Sequence, residues 1–303
     1  MIENLVLGSG GIYGLVLIGT LCYLENNNIY KKKNIKNILG ASVGSLIGLL
    51  ICLNYSLKEI KKLALEINFG KIINIKKNRF LSIFDNYGFD DGNNFIKILK
   101  IFIKTKTNNY DITLKELYDL SGINLTFIVS NASKQKEEYF NYETYPDTKV
   151  WEACLMSCSI PIIFQPYKYN GDLFFDGGIN GCTTKYFKNQ KKTLGIILES
   201  FDNYKKIDNF QDYFLQLVSF PLKIIKKNIY NSDNTITIDT SELKLNSISF
   251  NLNEQDKISL YDFGFNYLNE NDDLKNRIFN FLNSIENKTK NEKNKISIGT
   301  QTD

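Results

Sequence analysis

Two stretches near the start of the chain share one pattern of apolar and polar positions. Leu5–Leu7 is a short apolar run, and Ile35–Leu39 is a predicted strand that ends in Ile38 and Leu39. Each leads through a glycine-containing turn into a long run compatible with a helix. A buried strand, a tight turn and a helix form the repeating unit of a parallel α/β sheet. The pattern therefore predicts that both turns lie at the carboxyl edge of one sheet, where such folds carry their functional groups.

Further along, apolar and polar residues alternate with the periods of strands and helices. The pattern predicts strands at Leu125–Ser130, Tyr167–Tyr169, Leu173–Phe175, Leu194–Leu198 and Thr235–Asp239, with an edge strand at Phe140–Tyr145. Residues three and four apart are apolar in the predicted helices Tyr13–Asn26, Leu46–Leu53, Leu57–Ile67, Phe95–Lys104, Thr113–Leu120, Val150–Ser157, Ser259–Asn269 and Leu274–Ile285.

The second turn has the G-x-S-x-G form of a nucleophile elbow. It reads Gly40-Ala41-Ser42-Val43-Gly44, and a side chain at either glycine would collide with the neighbouring strand or helix. The alternative is a buried, glycine-containing helix in which the serine has no chemical role. Because the motif follows a predicted strand and opens a predicted helix, we favour the elbow, with Ser42 as the nucleophile.

Composition limits the chemistry that this serine can use. The chain of 303 residues contains no histidine, which excludes a Ser-His-Asp triad, a Cys-His pair and any histidine-ligated metal. The base that activates Ser42 must therefore be a carboxylate or a lysine. Asp176 is the best candidate, because it follows a predicted strand and precedes two glycines; the alternative is an ordinary turn. Asp90 and Asp91 are less favoured, since they begin a polar helix cap.

Charge and cysteine content indicate the compartment and the partners. A net charge of +4 is mild and gives no sign of nucleic-acid binding. Most of the five cysteines fall in apolar runs, which predicts buried free thiols in a reducing, cytoplasmic compartment. Cys154 and Cys158 lack the neighbouring ligands that a metal site needs.

With 43% hydrophobic residues, the chain has enough apolar side chains for one large core or two small ones.

One uncharged stretch is long enough to cross a membrane. Asn4–Leu24 contains no acidic or basic residue, but it carries six glycines and serines and has no basic flank. A strand, a glycine turn and a buried helix explain this composition better.

Together these pieces resemble the patatin-like phospholipase family. The resemblance runs from Leu5 to about Ile285. It includes the glycine-rich turn Ser9-Gly10-Gly11-Ile12-Tyr13-Gly14, the elbow, a Ser-x-Pro-x-x-Phe-x-Pro passage from Ser159 to Pro166, and Asp176-Gly177-Gly178. It implies an α/β fold, a three-layer sandwich with a mostly parallel central sheet flanked by helices. We expect one domain over residues 1–286, and a disordered polar tail over residues 287–303.

The resemblance also implies a reaction. Ser42 would attack a carboxylic ester of a phospholipid or related lipid and form an acyl-enzyme, with Asp176 as proton acceptor and with no metal or cofactor. The N–H groups of Gly10, Gly11 and Ile12 would hold the oxyanion.

This chain departs from the family pattern at two places. Ser9 replaces the first glycine of the glycine-rich turn, and Tyr13 replaces its basic residue, while Gly14 is retained. After the aspartate, the family commonly has an Asn-x-Pro passage, and this chain has Asn180-Gly181-Cys182 there, without the proline. A neutral Tyr13 leaves open a second hypothesis, a weakly active or inactive lipid-binding protein. A third hypothesis is a dinucleotide-binding domain, but it leaves the elbow unexplained.

A lipid substrate requires contact with a lipid surface, and we expect the protein to be peripheral at membranes. Tyr204–Tyr230 interleaves apolar residues with lysines, as an interfacial helix would, although an ordinary surface helix has the same pattern. The tail ends Gly299-Thr300-Gln301-Thr302-Asp303, which resembles the Thr-Gln-Thr peptides that dynein light chains bind by strand addition.

Overall fold

The computed structural model describes residues 1–73, 85–199, 207, 213, 232–243, 245 and 250–284. In this part of the chain, eight strands form a central sheet and two more form a small parallel pair. The strands, in chain order, are β1 Asn4–Leu7, β2 Asn37–Ala41, β3 Gly88–Asp90, β4 Asn124–Asn131, β5 Lys136–Phe140, β6 Ile162–Phe164, β7 Tyr167–Tyr169, β8 Asp172–Asp176, β9 Thr193–Glu199 and β10 Thr235–Asp239.

Five strands of the central sheet are parallel and follow the order β10-β9-β1-β2-β4. Leu7 of β1 pairs with Gly40 of β2, so the two turns of the sequence pattern begin at the same level of the sheet. The predicted α/β fold with a mostly parallel sheet is therefore confirmed. The sheet is mixed overall, because β5, β7 and β8 are antiparallel to their neighbours.

Strand β4 brings the ends of two strands together. Strand β5 occupies one of its edges from Phe127 to Asn131. On its other edge β2 pairs in parallel with residues 124–128, and β8 pairs antiparallel with residues 129–131. Ala41, the last residue of β2, lies opposite Ile128, and Asp176, the last residue of β8, lies opposite Val129. The carboxyl ends of β2 and β8 therefore meet head to head.

Apart from short 3-10 turns and the isolated helical positions 85–86 and 213, the main helices of the described residues are α1 Gly14–Asn26, α2 Val43–Cys52, α3 Leu57–Glu66, α4 Phe69–Ile72, α5 Asn93–Thr107, α6 Leu114–Ser121, α7 Val150–Cys158, α8 Glu254–Glu270 and α9, which covers residues 272–284. A capping box begins α3, where Ser56 and Glu59 each accept a hydrogen bond from the other's backbone N–H. A second capping box, with Thr113 and Glu116, begins α6.

The two faces of the sheet are covered differently. Leu5 and Leu7 of β1 point into the larger core, which contains most of the helical side chains. Val6, on the opposite face, belongs to a smaller cluster that Cys182 and Phe187 cover. The segment that follows β8 thus closes this second face.

Helices α1 and α8 cross at two glycines. A β-carbon on Gly264 would lie 2.1 Å from the carbonyl oxygen of Val16, and one on Gly19 would lie 2.2 Å from that of Tyr261. Thr20 Oγ1 donates to the Gly264 carbonyl at 3.0 Å across the same contact. The close crossing holds α1, near the start of the chain, against α8.

The structure corrects one predicted strand and adds a sheet. The predicted edge strand Phe140–Tyr145 is wrong, because β5 ends at Phe140 and a turn follows. The Asn141 side chain accepts hydrogen bonds from the N–H groups of Glu143 and Thr144, which favours a turn over an extended strand. The small pair β3–β6 was not predicted, since each strand has only three residues.

Asn4–Leu24 forms β1, a 3-10 turn and most of α1. In the residues that the structure describes, no helix has the length and hydropathy needed to cross a membrane. The predicted features in Tyr204–Tyr230 and in residues 287–303 lie outside the described residues, apart from the isolated positions 207 and 213. None of the five cysteines forms a disulfide, and four of them are buried.

Candidate active site

Ser42 stands at the sharp turn between β2 and α2. Its backbone has φ 53° and ψ −127°, a left-handed conformation that is strained for any residue except glycine. A β-carbon on Gly44 would lie 2.3 Å from the Leu7 carbonyl oxygen, and one on Gly40 would lie 2.5 Å from the Ser45 α-carbon. Both glycines are therefore required by close backbone approach, as in a nucleophile elbow.

Asp176 lies at the end of β8, where three contacts fix it. Its N–H donates to the Ser159 carbonyl at 2.9 Å, and its own carbonyl accepts from Ser130 Oγ at 3.0 Å. Its carboxylate oxygen Oδ1 accepts the Gly178 N–H at 2.6 Å. A β-carbon on Gly177 would lie 2.1 Å from the Ile128 carbonyl oxygen, so the turn after Asp176 lies directly against β4.

Three sequence-predicted pieces converge at this point of β4. Ser42 directly follows Ala41, which lies opposite Ile128, and Asp176 lies opposite Val129. The glycine-rich turn lies alongside, because Gly44 contacts the carbonyl of Gly8 and Gly178 contacts Ser9. Both Ser42 and Asp176 are buried, with 4% and 5% of their surface exposed. The arrangement brings a serine hydroxyl and a carboxylate to one end of the sheet, shielded from bulk water.

The glycine-rich turn supplies backbone donors to the same region. Gly11–Tyr13 forms a 3-10 turn that leads directly into α1, and Gly11 has a φ of 55°. The first N–H groups of a helix have no acceptor within the helix, and the helix dipole makes this end electropositive. The N–H groups of Gly10, Gly11 and Ile12 therefore suit an anionic oxygen.

Tyr13, which stands where the family has a basic residue, is part of the core. Its hydroxyl donates a hydrogen bond to the carbonyl oxygen of Leu245. Burial raises the pKa of Tyr13 to about 12, so the side chain is neutral at physiological pH. Tyr13 thus fixes the position of residue 245 and brings no charge to the turn.

Cys158 is a second nucleophile close to the site, but it is held as a thiol. Its Sγ lies 3.9 Å from Ser45 Oγ. A hydrogen bond with Cys154, burial and the nearby charge of Asp176 raise the pKa of the Cys158 thiol well above its usual range. A neutral thiol is a poor nucleophile.

An apolar pocket opens beside the glycine-rich turn and encloses about 470 Å³ of empty space, including the part open to solvent. Gly11, Ile12 and Val43, the residue after Ser42, line the end nearest the site. Its remaining walls come from α1, α2, α3, α4 and α5 and from Ile67, which directly follows α3, and they include Ala64 and Phe102. Only glycine and apolar side chains line this pocket, and the sequence analysis did not identify it.

Sequence reasoning also gave no role to Ser157, which lies two residues before the Ser-x-Pro-x-x-Phe-x-Pro passage. Its Oγ accepts the Ser42 N–H at 3.1 Å. A polar residue near the end of a mostly apolar helix, α7, was the available signal. Among the described residues, no cluster of three or more histidine, cysteine, aspartate or glutamate side chains could hold a metal ion.

Comparison with known proteins assigns the family. The sequence profile of the patatin-like phospholipase family matches residues 5–182, more than half of the chain. The protein therefore belongs to the patatin-like phospholipase family, and the dinucleotide-binding hypothesis is wrong.

Several proteins are similar to this chain. An uncharacterized protein of Acanthamoeba polyphaga mimivirus is 30% identical, over 87% of this chain and 91% of its own length. A probable lipid hydrolase of Invertebrate iridescent virus 6 is 32% identical, over 67% of this chain and 72% of its own. Triacylglycerol lipase 5 of Saccharomyces cerevisiae is 29% identical over 69% of this chain, which spans only 28% of that lipase.

The fold is also similar to a solved structure, VipD from Legionella pneumophila. The two share a TM-score of 0.60 over 93% of this chain and 67% of the other. Their sequences are 16% identical, so the likeness concerns the fold alone.

Proposed function

We propose that the protein is a lipid acyl hydrolase in which Ser42 and Asp176 act as a catalytic dyad. The observation that carries the proposal is the head-to-head meeting of β2 and β8 on β4, which brings these two side chains to one level of the sheet. The strained backbone of Ser42 supports its role as the nucleophile. The absence of histidine supports a dyad over a triad. The names of two relatives, a probable lipid hydrolase and a triacylglycerol lipase, support an ester of a lipid as substrate.

In the first half of the reaction, the Asp176 carboxylate takes the hydroxyl proton while Ser42 Oγ attacks the ester carbonyl carbon. The carbonyl oxygen becomes an oxyanion, which the N–H groups of Gly10, Gly11 and Ile12 stabilise. The bond to the alcohol then breaks, and the alcohol leaves with the proton from Asp176. Ser42 remains as an acyl ester.

In the second half, Asp176 takes a proton from water, and the resulting nucleophile attacks the acyl-enzyme. The Ser42 ester bond breaks, the serine regains its proton, and a fatty acid leaves. The net reaction consumes one ester and one water, and it yields one acid and one alcohol.

The apolar pocket suits the acyl chain of the substrate. It begins at Gly11, Ile12 and Val43, next to the proposed oxyanion donors and the nucleophile, and only glycine and apolar residues line it. Burying an apolar chain there stabilises the complex by about 0.8 kcal/mol per methylene. We propose that the enzyme selects substrates by the acyl chain and that Ile67 and Phe69, half-buried at the pocket wall, contact the lipid surface.

A hydrolysis assay on a short-chain nitrophenyl ester and on phospholipid vesicles tests the dyad. We expect Ser42→Ala and Asp176→Asn each to lower kcat at least about 10³-fold. Asp172→Asn, on the same strand β8 but paired with Lys134, is the matched control and should retain activity.

The competing hypothesis, an inactive lipid-binding protein, makes the opposite prediction. A wild-type protein that binds fatty acid or vesicles but hydrolyses no ester would establish that hypothesis. Activity that survives in Asp176→Asn would remove Asp176 as the base.

A further inference from the structure

We propose that Ser157 is a positioning residue that holds the nucleophilic serine in its strained conformation. The end of α7, from Ser157 to Ser159, thereby fixes both members of the dyad relative to each other. The proposal deepens the function proposed above and rests on Ser42 being the nucleophile.

The hydroxyl of Ser157 is fully buried and bridges two backbone groups. It donates to the Ile128 carbonyl at 2.7 Å, and it accepts the N–H of Ser42 at 3.1 Å. A serine hydroxyl has one proton, which goes to Ile128, so an oxygen lone pair faces Ser42. Ser157 thus ties the nucleophile's backbone directly to the residue of β4 beside the junction of β2 and β8.

The Ser42 N–H has no acceptor in the regular structure on either side of it. The pairing of β2 with β4 ends at Ala41, and α2 begins only at Val43. Buried backbone N–H groups are nearly always hydrogen-bonded, and a strained conformation persists only where its surroundings enforce it. The Ser157 oxygen supplies the acceptor for the Ser42 N–H, and the same hydrogen bond helps to hold the strained backbone of Ser42.

The base is held by the same helix end. The Ser159 carbonyl accepts the Asp176 N–H at 2.9 Å. The Ser159 side chain, in contrast, donates to the Leu155 carbonyl at 2.7 Å, within its own helix. Two residues of one helix end therefore hold the backbones of the nucleophile and of the base, through a side chain in one case and a carbonyl in the other.

This difference supplies a matched pair of variants. Ser157→Ala removes the acceptor of the Ser42 N–H, whereas Ser159→Ala removes a hydroxyl of equal burial and leaves the contact with Asp176 intact. For a short-chain ester, we expect Ser157→Ala to lower kcat about 10- to 100-fold with KM unchanged, because a misplaced nucleophile slows the chemical step. Ser159→Ala should stay within about threefold of the wild type.

Amide hydrogen exchange gives a readout that does not depend on activity. The peptide containing Ser42 should exchange faster in Ser157→Ala than in the wild type and should be unchanged in Ser159→Ala. If Ser157→Ala does not fold, the near-isosteric Ser157→Cys takes its place, with a weaker acceptor and a smaller loss of kcat.

Equal kcat values for the two alanine variants, or unchanged exchange at Ser42 in Ser157→Ala, would overturn the positioning role. A wild-type protein without esterase activity would instead refute the proposed function, and the exchange experiment would still decide whether Ser157 holds Ser42.

Discussion

Tyr13 shows how one residue of the family pattern can change role. A basic side chain at this position would add charge beside the proposed oxyanion donors, but the Tyr13 hydroxyl binds the Leu245 carbonyl. The backbone N–H groups and the helix end remain, and they do not depend on this side chain. We therefore expect Tyr13 to contribute to stability more than to catalysis.

Tyr13→Phe tests this assignment. Removing the hydroxyl leaves the Leu245 carbonyl without its partner and should lower the free energy of unfolding by about 1–3 kcal/mol. The kcat should remain within about twofold, because the ring still fills its place in the core. Denaturant unfolding measures the free energy of unfolding, and ester hydrolysis measures kcat. A tenfold loss of kcat at unchanged stability would mean that the hydroxyl takes part in the reaction.

At the scale of elements, helix α3 borders the apolar pocket and is a suitable place to change its size. Ala64 is half-buried and lines the pocket, so a larger side chain there has space to enter it. Lys58, exposed on the same helix, does not line the pocket and offers a control position.

We predict that Ala64→Trp shifts the preference of the enzyme towards short acyl chains. Hydrolysis of acetyl and butyryl esters should be nearly unchanged, while kcat/KM for esters of 12 or more carbons should fall at least about tenfold, because each excluded methylene forgoes about 0.8 kcal/mol. Lys58→Trp should leave the chain-length profile as it is. If Ala64→Trp has the same chain-length profile as the wild type, the acyl chain does not bind in this pocket.

The stability of the whole molecule depends in part on a cluster of polar and charged side chains that joins β4, β5 and β8. Asn131 donates to Glu138 at 2.9 Å and to Asp172 at 3.0 Å, and Lys136 pairs with Glu138. Burial raises the pKa of Glu138, but hydrogen bonds from Tyr145 and Asn131 and the nearby Lys136 outweigh it and leave this pKa below its usual value. The folded protein therefore stabilises the charged carboxylate.

The sign of this shift predicts an acid-dependent stability. The contribution of Glu138 is fully present above its unfolded pKa, near 4.5, and is lost as the pH falls through the lower folded value. Glu138→Gln should destabilise the protein by about 1 kcal/mol at pH 7, and the difference from the wild type should shrink below pH ~4. Urea unfolding across this pH range measures both effects, with exposed Glu137→Gln as the control. A difference that grows in acid would contradict the assignment.

Much of the fold could be predicted from the sequence, because the parallel strands are short, mostly apolar or β-branched runs and each glycine turn has its own residue pattern. The elbow was predictable for the same reason, since close backbone approach requires Gly40 and Gly44. The meeting of β2 with β8 was not predictable, because pairing along β4 depends on contacts between distant parts of the chain. The pocket could not be inferred for the same reason, and the polar Ser157 in a mostly apolar helix did not by itself indicate its proposed contact with Ser42.

The proposed dyad requires that Ser42 is the activated nucleophile and that Asp176 activates it. Treating the folded protein with a phosphonate probe for serine hydrolases, and locating the adduct by peptide mass spectrometry, measures both roles in one experiment. We expect one adduct, on Ser42, that is lost in Ser42→Ala and forms at least about 10²-fold more slowly in Asp176→Asn. No adduct on the folded wild-type protein, or an adduct on another serine, would refute the dyad.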